Sequence, residues 1–284
     1  MDRHFPDQAS LLRMLARQNS AAAAPRVPLA VIFGAEKRVG VTTLVVNLGA
    51  ALAESGRRVA IVDLDFDSAG LAQLCGIEAV AAISDLASMR VDLHESLLPG
   101  AHGSLRLPTT GESLPLHAIP PQALQRLTEQ LQRLGRHADL VLIDAGSRLT
   151  PLTELLWRQA ERFVLAACSA RSSLTAGYAA IRQLQETEPR SDFGLLLNRV
   201  SVAQSEAPII EGFDRVCRRH AGAAAIGIGA VRHGLEIGAA QAANDAFYAR
   251  YPQSAVASDL AQVAKRFAAF AFDASTTSNV HRAA

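Results

Sequence analysis

Lysine is almost missing from this chain. Of 28 basic side chains only Lys37 and Lys265 are lysine, so any chemistry that needs an ammonium has two candidates. Cysteine is scarce as well. Cys75, Cys168 and Cys217 are far apart, odd in number and without metal-ligand spacing, which argues against disulfides and zinc. Net charge is lacking: 28 basic residues face 27 acidic ones, so no global field draws the chain to nucleic acid, and direct nucleic-acid binding is not expected. No apolar run approaches the roughly 18 residues of a membrane span. The opening MDRHFPDQAS has no apolar core of a signal peptide, and the chain reads as cytoplasmic. The histidines show neither metal nor relay spacing, and no Ser-His-Asp or Cys-His set is legible.

What is present is material for a large core. Of 284 residues, 49% are apolar and 19% charged, within the range of a globular domain. Residues 1–19 read as a short arm in which Asp7 caps a helix carrying Leu11, Leu12 and Leu15 at helical spacing. Residues 20–28, SAAAAPRVP at their core, read as a linker. From residue 29 to residue 272, apolar runs alternate with longer amphipathic segments. Leu29–Phe33, Val59–Val62, Leu140–Ile143, Phe163–Ala167 and Phe193–Leu197 are short, branched and bounded by turn residues, as strands buried on both faces are. Ser104–Leu107 and Ala225–Val231 complete the set. Thr42–Glu54, Pro121–Leu134, Leu174–Glu186 and Ile209–His220 have helical length. The alternation predicts an α/β fold, a mostly parallel sheet with helices on both faces. Residues 273–284 are polar and expected to be a disordered tail. Ligands of such sheets bind beyond the carboxyl ends of the strands, so the residues there carry the chemistry.

After the first strand comes Gly34-Ala35-Glu36-Lys37-Arg38-Val39-Gly40-Val41-Thr42-Thr43 and then a helix. A phosphate loop needs glycines so that backbone amides can wrap phosphate, a lysine for the β/γ charge and a Ser/Thr for magnesium. Gly34, Gly40, Thr42 and Thr43 suit that pattern, while Val41 stands in the lysine slot. After the second strand, Asp63-Leu64-Asp65 puts two carboxylates on one side of an extended backbone. Leu142-Ile143-Asp144-Ala145-Gly146 is a hydrophobic run ending in aspartate, the Walker B layout. Asn198-Arg199 follows a later strand. Taken one at a time, each carboxylate also suits a helix cap and Asn198 a turn. Four polar sites at four strand ends converge on one crevice.

With these residues the chain resembles the MinD/ParA-type deviant Walker ATPases, and within them the flagellar-number regulators of the FlhG/FleN branch. The family loop K-G-G-x-G-K-T-T falls on Glu36 to Thr43, so its dimer-crossing lysine corresponds to Glu36 and its phosphate lysine to Val41. The resemblance implies a site for ATP or ADP with Mg²⁺. Gly34, Lys37, Arg38, Gly40, Val41, Thr42, Thr43, Asn198 and Arg199 would surround the nucleotide, Asn198 at the adenine. Thr42, Asp63 and Asp144 would hold the metal, and Asp65 would orient the attacking water. Losing both lysines leaves triphosphate charge poorly compensated. Lys37 and Arg38 are the local substitutes, although side chains replace glycines there. Segments Cys168–Leu184, Leu195–Arg199, Ile226–Gly238 and Tyr248–Ser254 also follow the flagellar branch.

The arm Asp7-Gln8-Ala9-Ser10-Leu11-Leu12-Arg13 matches D-Q-A-x-x-L-R, which in that branch binds and activates FlhF, a signal-recognition-type GTPase. The implied partner surface is Asp7, Gln8, Ala9, Leu11, Leu12 and Arg13, with a flagellar transcription activator as a second partner. At the other end Ser258–Phe272 forms an amphipathic helix with Leu260, Val263, Phe267 and Phe270 on one face. That face suits either packing on the domain or peripheral contact with the inner membrane, as relatives use it. The expectation is a degenerate regulator of polar flagellar number, monomeric or weakly dimeric, with ATP turnover lost or weak. Two alternatives stand beside it: an active dimerising ATPase, and a cellulose-secretion subunit like BcsQ, which also lacks the usual lysines.

Overall fold

In a computed structural model of the chain, residues 25–112, 118–201 and 204–272 are described. The expected arm with Asp7–Arg13, the first part of the expected linker and the tail 273–284 lie outside them. Leu29–Gly34 (β1) is buried along its whole length, Leu29, Val31 and Phe33 facing one core and Ala30 and Ile32 the other. Period-two alternation with both sets apolar is what a strand covered on both faces requires. Val41–Glu54 (α1) follows, then Val59–Asp63 (β2), Gly70–Cys75 (α2) and Ile83–Ala87 (α3). Leu98–Pro99 (β3) and Leu105–Leu107 (β4) precede Pro121–Gln132 (α4), Leu140–Asp144 (β5) and Pro151–Gln159 (α5). Arg162–Cys168 (β6), Arg171–Thr187 (α6), Asp192–Val200 (β7), Glu206–His220 (α7) and Ala224–Arg232 (β8) continue it. Leu235–Ala242 (α8), Phe247–Arg250 (α9) and Ala255–Phe272 (α10) complete the described chain.

The eight strands form one sheet in the order β3-β4-β2-β5-β1-β6-β7-β8. Every pairing is parallel except the short β3–β4 edge. With β1 between β5 and β6, the loop after β1 rises at the middle of the carboxyl edge, where the crossovers of such a sheet diverge. One face packs Phe33, Trp157, Phe163 and Phe193 beneath α4, α5, α6 and α7. The Trp157 ring meets Phe163 edge-on at 4.8 Å, and its Nε1 donates to the Glu188 carbonyl at 2.8 Å. The other face packs α1 and α10.

The seven expected strands are all present. The expected linker does not run free to residue 28. Val27 is buried and its amide donates to the Gln132 carbonyl at 2.8 Å, so the final linker residues are part of the domain edge. Elements β3, α2, α3, α5, α8 and α9 were not anticipated. For α5 the signal was there: Thr150 Oγ1 accepts from the Thr153 amide at 3.0 Å, with proline at the first helical position.

The C-terminal helix α10 is buried through Leu260, Val263, Phe267 and Phe270 against α1 and β8. Of the two uses its apolar face suited, packing on the domain is the one realised; those four side chains are not presented to a membrane. Among the described residues no helix is long and apolar enough to cross one. Phe267→Ala is expected to cost about 3–5 kcal/mol in denaturant unfolding, as loss of a fully buried aromatic does. A cost under about 1 kcal/mol would show that α10 adds little to the fold.

Candidate functional site

The loop after β1 is held by its neighbours where it leaves the strand. The Gly34 amide donates to the Gly146 carbonyl and the Ala35 amide to the Ala166 carbonyl, each at 2.8 Å. Arg38 and Gly40 take the left-handed backbone, φ 63° and 96°, which lets the chain turn over the strand end into α1. At Gly40 this is natural; at Arg38 a side chain occupies a conformation glycine would adopt without strain. The first intrahelical bond runs from the Leu44 amide to the Gly40 carbonyl, so the amides of Val41, Thr42 and Thr43 lack helical partners, the usual anion-binding end of a helix.

The loop interior is apolar. Val39 and Val41 are buried, and the Cγ of each would stand 2.8 Å from a Cβ placed on Gly34, so their methyl groups fill the space above the strand end. Lys37 and Arg38, the expected substitutes for the absent lysines, project outward. Lys37 Nζ pairs with Asp67 Oδ2 at 3.1 Å, and Arg148 Nη1 takes the other oxygen of Asp67 at 2.7 Å. Glu36 and Arg199 both act on the Cys168 thiol, whose pKa is raised by burial, lowered by Arg199 and raised by Glu36.

Behind the loop lie the acids. Asp63 and Asp144 are register partners at the ends of β2 and β5, both buried. Asp63 accepts from the Asp65 amide at 3.1 Å and the Leu71 amide at 3.0 Å. Asp144 Oδ1 accepts from the Gly146 amide at 2.9 Å, and Oδ2 has no hydrogen-bond partner among the described residues. The Thr42 hydroxyl favours the charged form of Asp144 without closing a hydrogen bond on Oδ2. Burial, then the charge of Asp144, lifts Asp63 well above the usual carboxylate range. Burial lifts Asp144 to about 6. Asp65 accepts from the Asp67 amide at 3.0 Å and the Ser68 hydroxyl at 2.8 Å, closing a local turn.

Asn198 sits beside Gly40 at the end of β7. Its amide donates to the Val39 carbonyl at 2.8 Å and its oxygen accepts from the Arg199 amide at 2.9 Å, so it fastens the loop to the sheet. Next to it a cavity of about 320 Å³ is bordered by Gly40, Thr43, Asn198, Arg199, His233 and Phe247. Gln241 of α8 donates to the Thr43 hydroxyl at 2.9 Å on the same side.

Gly34, Lys37, Arg38, Gly40, Val41, Thr42, Thr43, Asp63, Asp65, Asp144, Asn198 and Arg199 are thus gathered at one sheet edge. The sequence reading did not assign Arg148 or Gln241. Arg148 lies four residues past Asp144, in the loop after a strand end, and was findable on that ground. An orphaned, buried carboxylate oxygen beside a second buried acid and a threonine fits a divalent cation. Among the described residues, however, no group of three or more His, Cys, Asp or Glu is arranged to hold one. Thr42 and Asp144, backed by Asp63, would therefore hold Mg²⁺ together with oxygens of water and of a phosphate ligand, whose charge the ion would neutralise. The phosphate end fits less well, since Val39 and Val41 close the loop interior and no lysine enters it.

Residues 31–244 match the model of the CobQ/CobB/MinD/ParA nucleotide binding domain. The chain is 24% identical to the antiactivator FleN of Pseudomonas aeruginosa over 228 residues, 80% of this chain and 81% of FleN. It is 23% identical over 168 residues to an uncharacterized ATP-binding protein of Methanocaldococcus jannaschii, 59% of this chain and 62% of that one. Among solved structures it is similar to the cell division ATPase MinD of Pyrococcus furiosus, with a TM-score of 0.71 and 18% identity, covering 86% of this chain and 99% of that one. The septum site-determining protein MinD of Pyrococcus horikoshii, complexed with Mg-ADP, gives 0.70 and 20%, covering 89% and 100%. These structural likenesses establish the fold.

The acid pair generates a pH dependence. An unfolded aspartate titrates near 3.9. Between that value and about 6 the folded chain keeps protons on Asp144 that the unfolded chain has lost, so stability falls as pH rises through this window. In buffer free of divalent ions, Asp144 is expected to contribute a loss of about 3 kcal/mol in denaturant unfolding between pH 4 and 7, with Asp63 adding a loss of the same sign. Asp144→Asn should reduce that slope, leaving the part that the burial of Asp63 contributes; an unchanged slope would remove Asp144 as a source.

Proposed function

The chain belongs to the CobQ/CobB/MinD/ParA nucleotide-binding family, and we propose that it is a degenerate regulator of polar flagellar number and placement whose ATP turnover is lost or very weak. The observation that carries this reading is the phosphate loop, which keeps its turn and its helix while Val39 and Val41 fill its interior and Lys37 is paired with Asp67. A lysine that grips phosphate in a partly dry site contributes roughly several kcal/mol to holding a triphosphate. With valine in its slot, the ligand must rely on backbone amides, the rim and Mg²⁺. ATP or ADP with Mg²⁺ would bind weakly, and dimerisation driven by it would be weak or absent.

The flagellar part rests on similarity to FleN, an antiactivator by its description, across four-fifths of both chains. By that likeness the domain surface restrains a flagellar transcription activator. The D-Q-A-S-L-L-R arm would engage an FlhF-type signal-recognition GTPase, placing the protein in the cytoplasm and at the cell pole. The work is then done by binding surfaces on a fold that no longer cycles.

A second reading has an observation in its favour. Thr42, Asp63, Asp65 and Asp144 stand together at the sheet edge, the set an active enzyme of this fold would need for Mg²⁺ and water.

One pair of measurements separates the readings. Purified protein with Mg-ATP is expected to release no phosphate above buffer, while accelerating GTP hydrolysis by the FlhF-type GTPase. The Leu11→Ala/Leu12→Ala variant should lose that acceleration. Magnesium-dependent ATP turnover that falls on Asp65→Asn would establish the active enzyme instead, and unchanged acceleration by the double variant would remove the arm's role.

A further inference from the structure

We infer that Lys37 and Arg148 form the cation pair that receives the phosphate end of a polyphosphate ligand, and that Asp67 holds both until the ligand arrives. The inference rests on the reading of this sheet edge as a nucleotide site. Asp67 engages one cation on each oxygen, Lys37 at 3.1 Å and Arg148 at 2.7 Å. The three residues come from three different strand-end loops, after β1, β2 and β5, so the triad crosses the rim above Asp63, Asp65 and Asp144.

Charge bookkeeping singles out this pair. The loop interior offers methyl groups where the family pattern has an ammonium, so beyond the backbone amides and Mg²⁺ the cationic side chains for terminal phosphate come from the rim. The chain's other lysine, Lys265, lies on α10, a helix packed on α1 and β8 and not among these loops. Lys37 and Arg148 are 75% and 47% exposed, while Asp67 is 25% exposed and has its amide tied to Asp65. The cations are therefore the mobile members and the carboxylate the fixed one. Ion pairs this exposed are weak, and a polyphosphate carrying several charges displaces one carboxylate from them. Asp67 both competes for the cations and repels the incoming phosphate, which makes it a brake on binding.

The test is titration calorimetry with Mg-ATP on the full chain, comparing Asp67→Asn with its parent both in the natural sequence and in a Val41→Lys background that restores an ammonium at the loop. Asp67→Asn is expected to tighten binding roughly fivefold or more, with the gain cancelled by adding Arg148→Gln. Unchanged or weaker binding by Asp67→Asn in the Val41→Lys background, with an unchanged melting temperature, would overturn the brake and leave the nucleotide site standing. Absence of binding by Val41→Lys itself, with the protein folded, would overturn the nucleotide reading and the inference with it.

Discussion

Two carboxylates side by side, out of water, are the constraint around which the rest of this sheet edge is arranged. Asp63 and Asp144 end neighbouring strands in register, and neither side chain reaches solvent. Two such groups cannot both ionise without compensation. The chain meets the demand in part, with the Asp65 and Leu71 amides on one acid and the Gly146 amide on the other. One oxygen is left over, and it requires a proton or a cation. Apolar residues would have filled these positions at less cost if packing were all they served. The acid pair is therefore held by strand ends and backbone amides of its own, independently of the loop after β1.

A phosphate loop can be ordered by its ligand or by its own protein. Here the protein does it. Val39 and Val41 fill the interior, Asn198 fastens the Val39 carbonyl to β7, Gly34 is tied to the loop after β5, and Ala35 is tied to β6 itself. The family pattern puts Asn198 at the base of a nucleotide, yet in this structure both ends of its amide serve backbone groups of the site itself. A loop so held is fixed at its start and at its entry into α1 by contacts within the chain.

Much of this was legible in the sequence, for a physical reason. Strands covered on both faces must be apolar throughout, and Leu29–Gly34, Leu140–Asp144 and Arg162–Cys168 announce themselves by composition. The turn after β1 and the aspartates at the ends of β2 and β5 follow from that register. Other elements give no such signal. Strand β3 is two residues long, and α8, LEIGAAQA, has too little polar contrast for a helical stripe. Periodicity on α10 declared an apolar face without saying what covers it, because lipid and a protein core select the same residues. The direction of Val41 and the meeting of Lys37, Asp67 and Arg148 are tertiary facts: three segments far apart in sequence must first be brought to one edge.

The holding of the loop is uneven, and the unevenness locates its movable part. From Gly40 into α1 the restraints are several: Asn198 lies against Gly40, Gln241 donates to Thr43, and buried Asn47 accepts from the Tyr248 amide at 2.9 Å. Moving this segment would break contacts with β7, α8 and α9 together. Lys37 on the loop crest is instead held by an exposed ion pair with Asp67, and the next residue, Arg38, takes a left-handed backbone that favours glycine. Exposed pairs contribute at most about 1 kcal/mol, so the crest is the least costly part to displace. A ligand entering here would meet a fixed helix end and acid pair beneath a movable rim of charge.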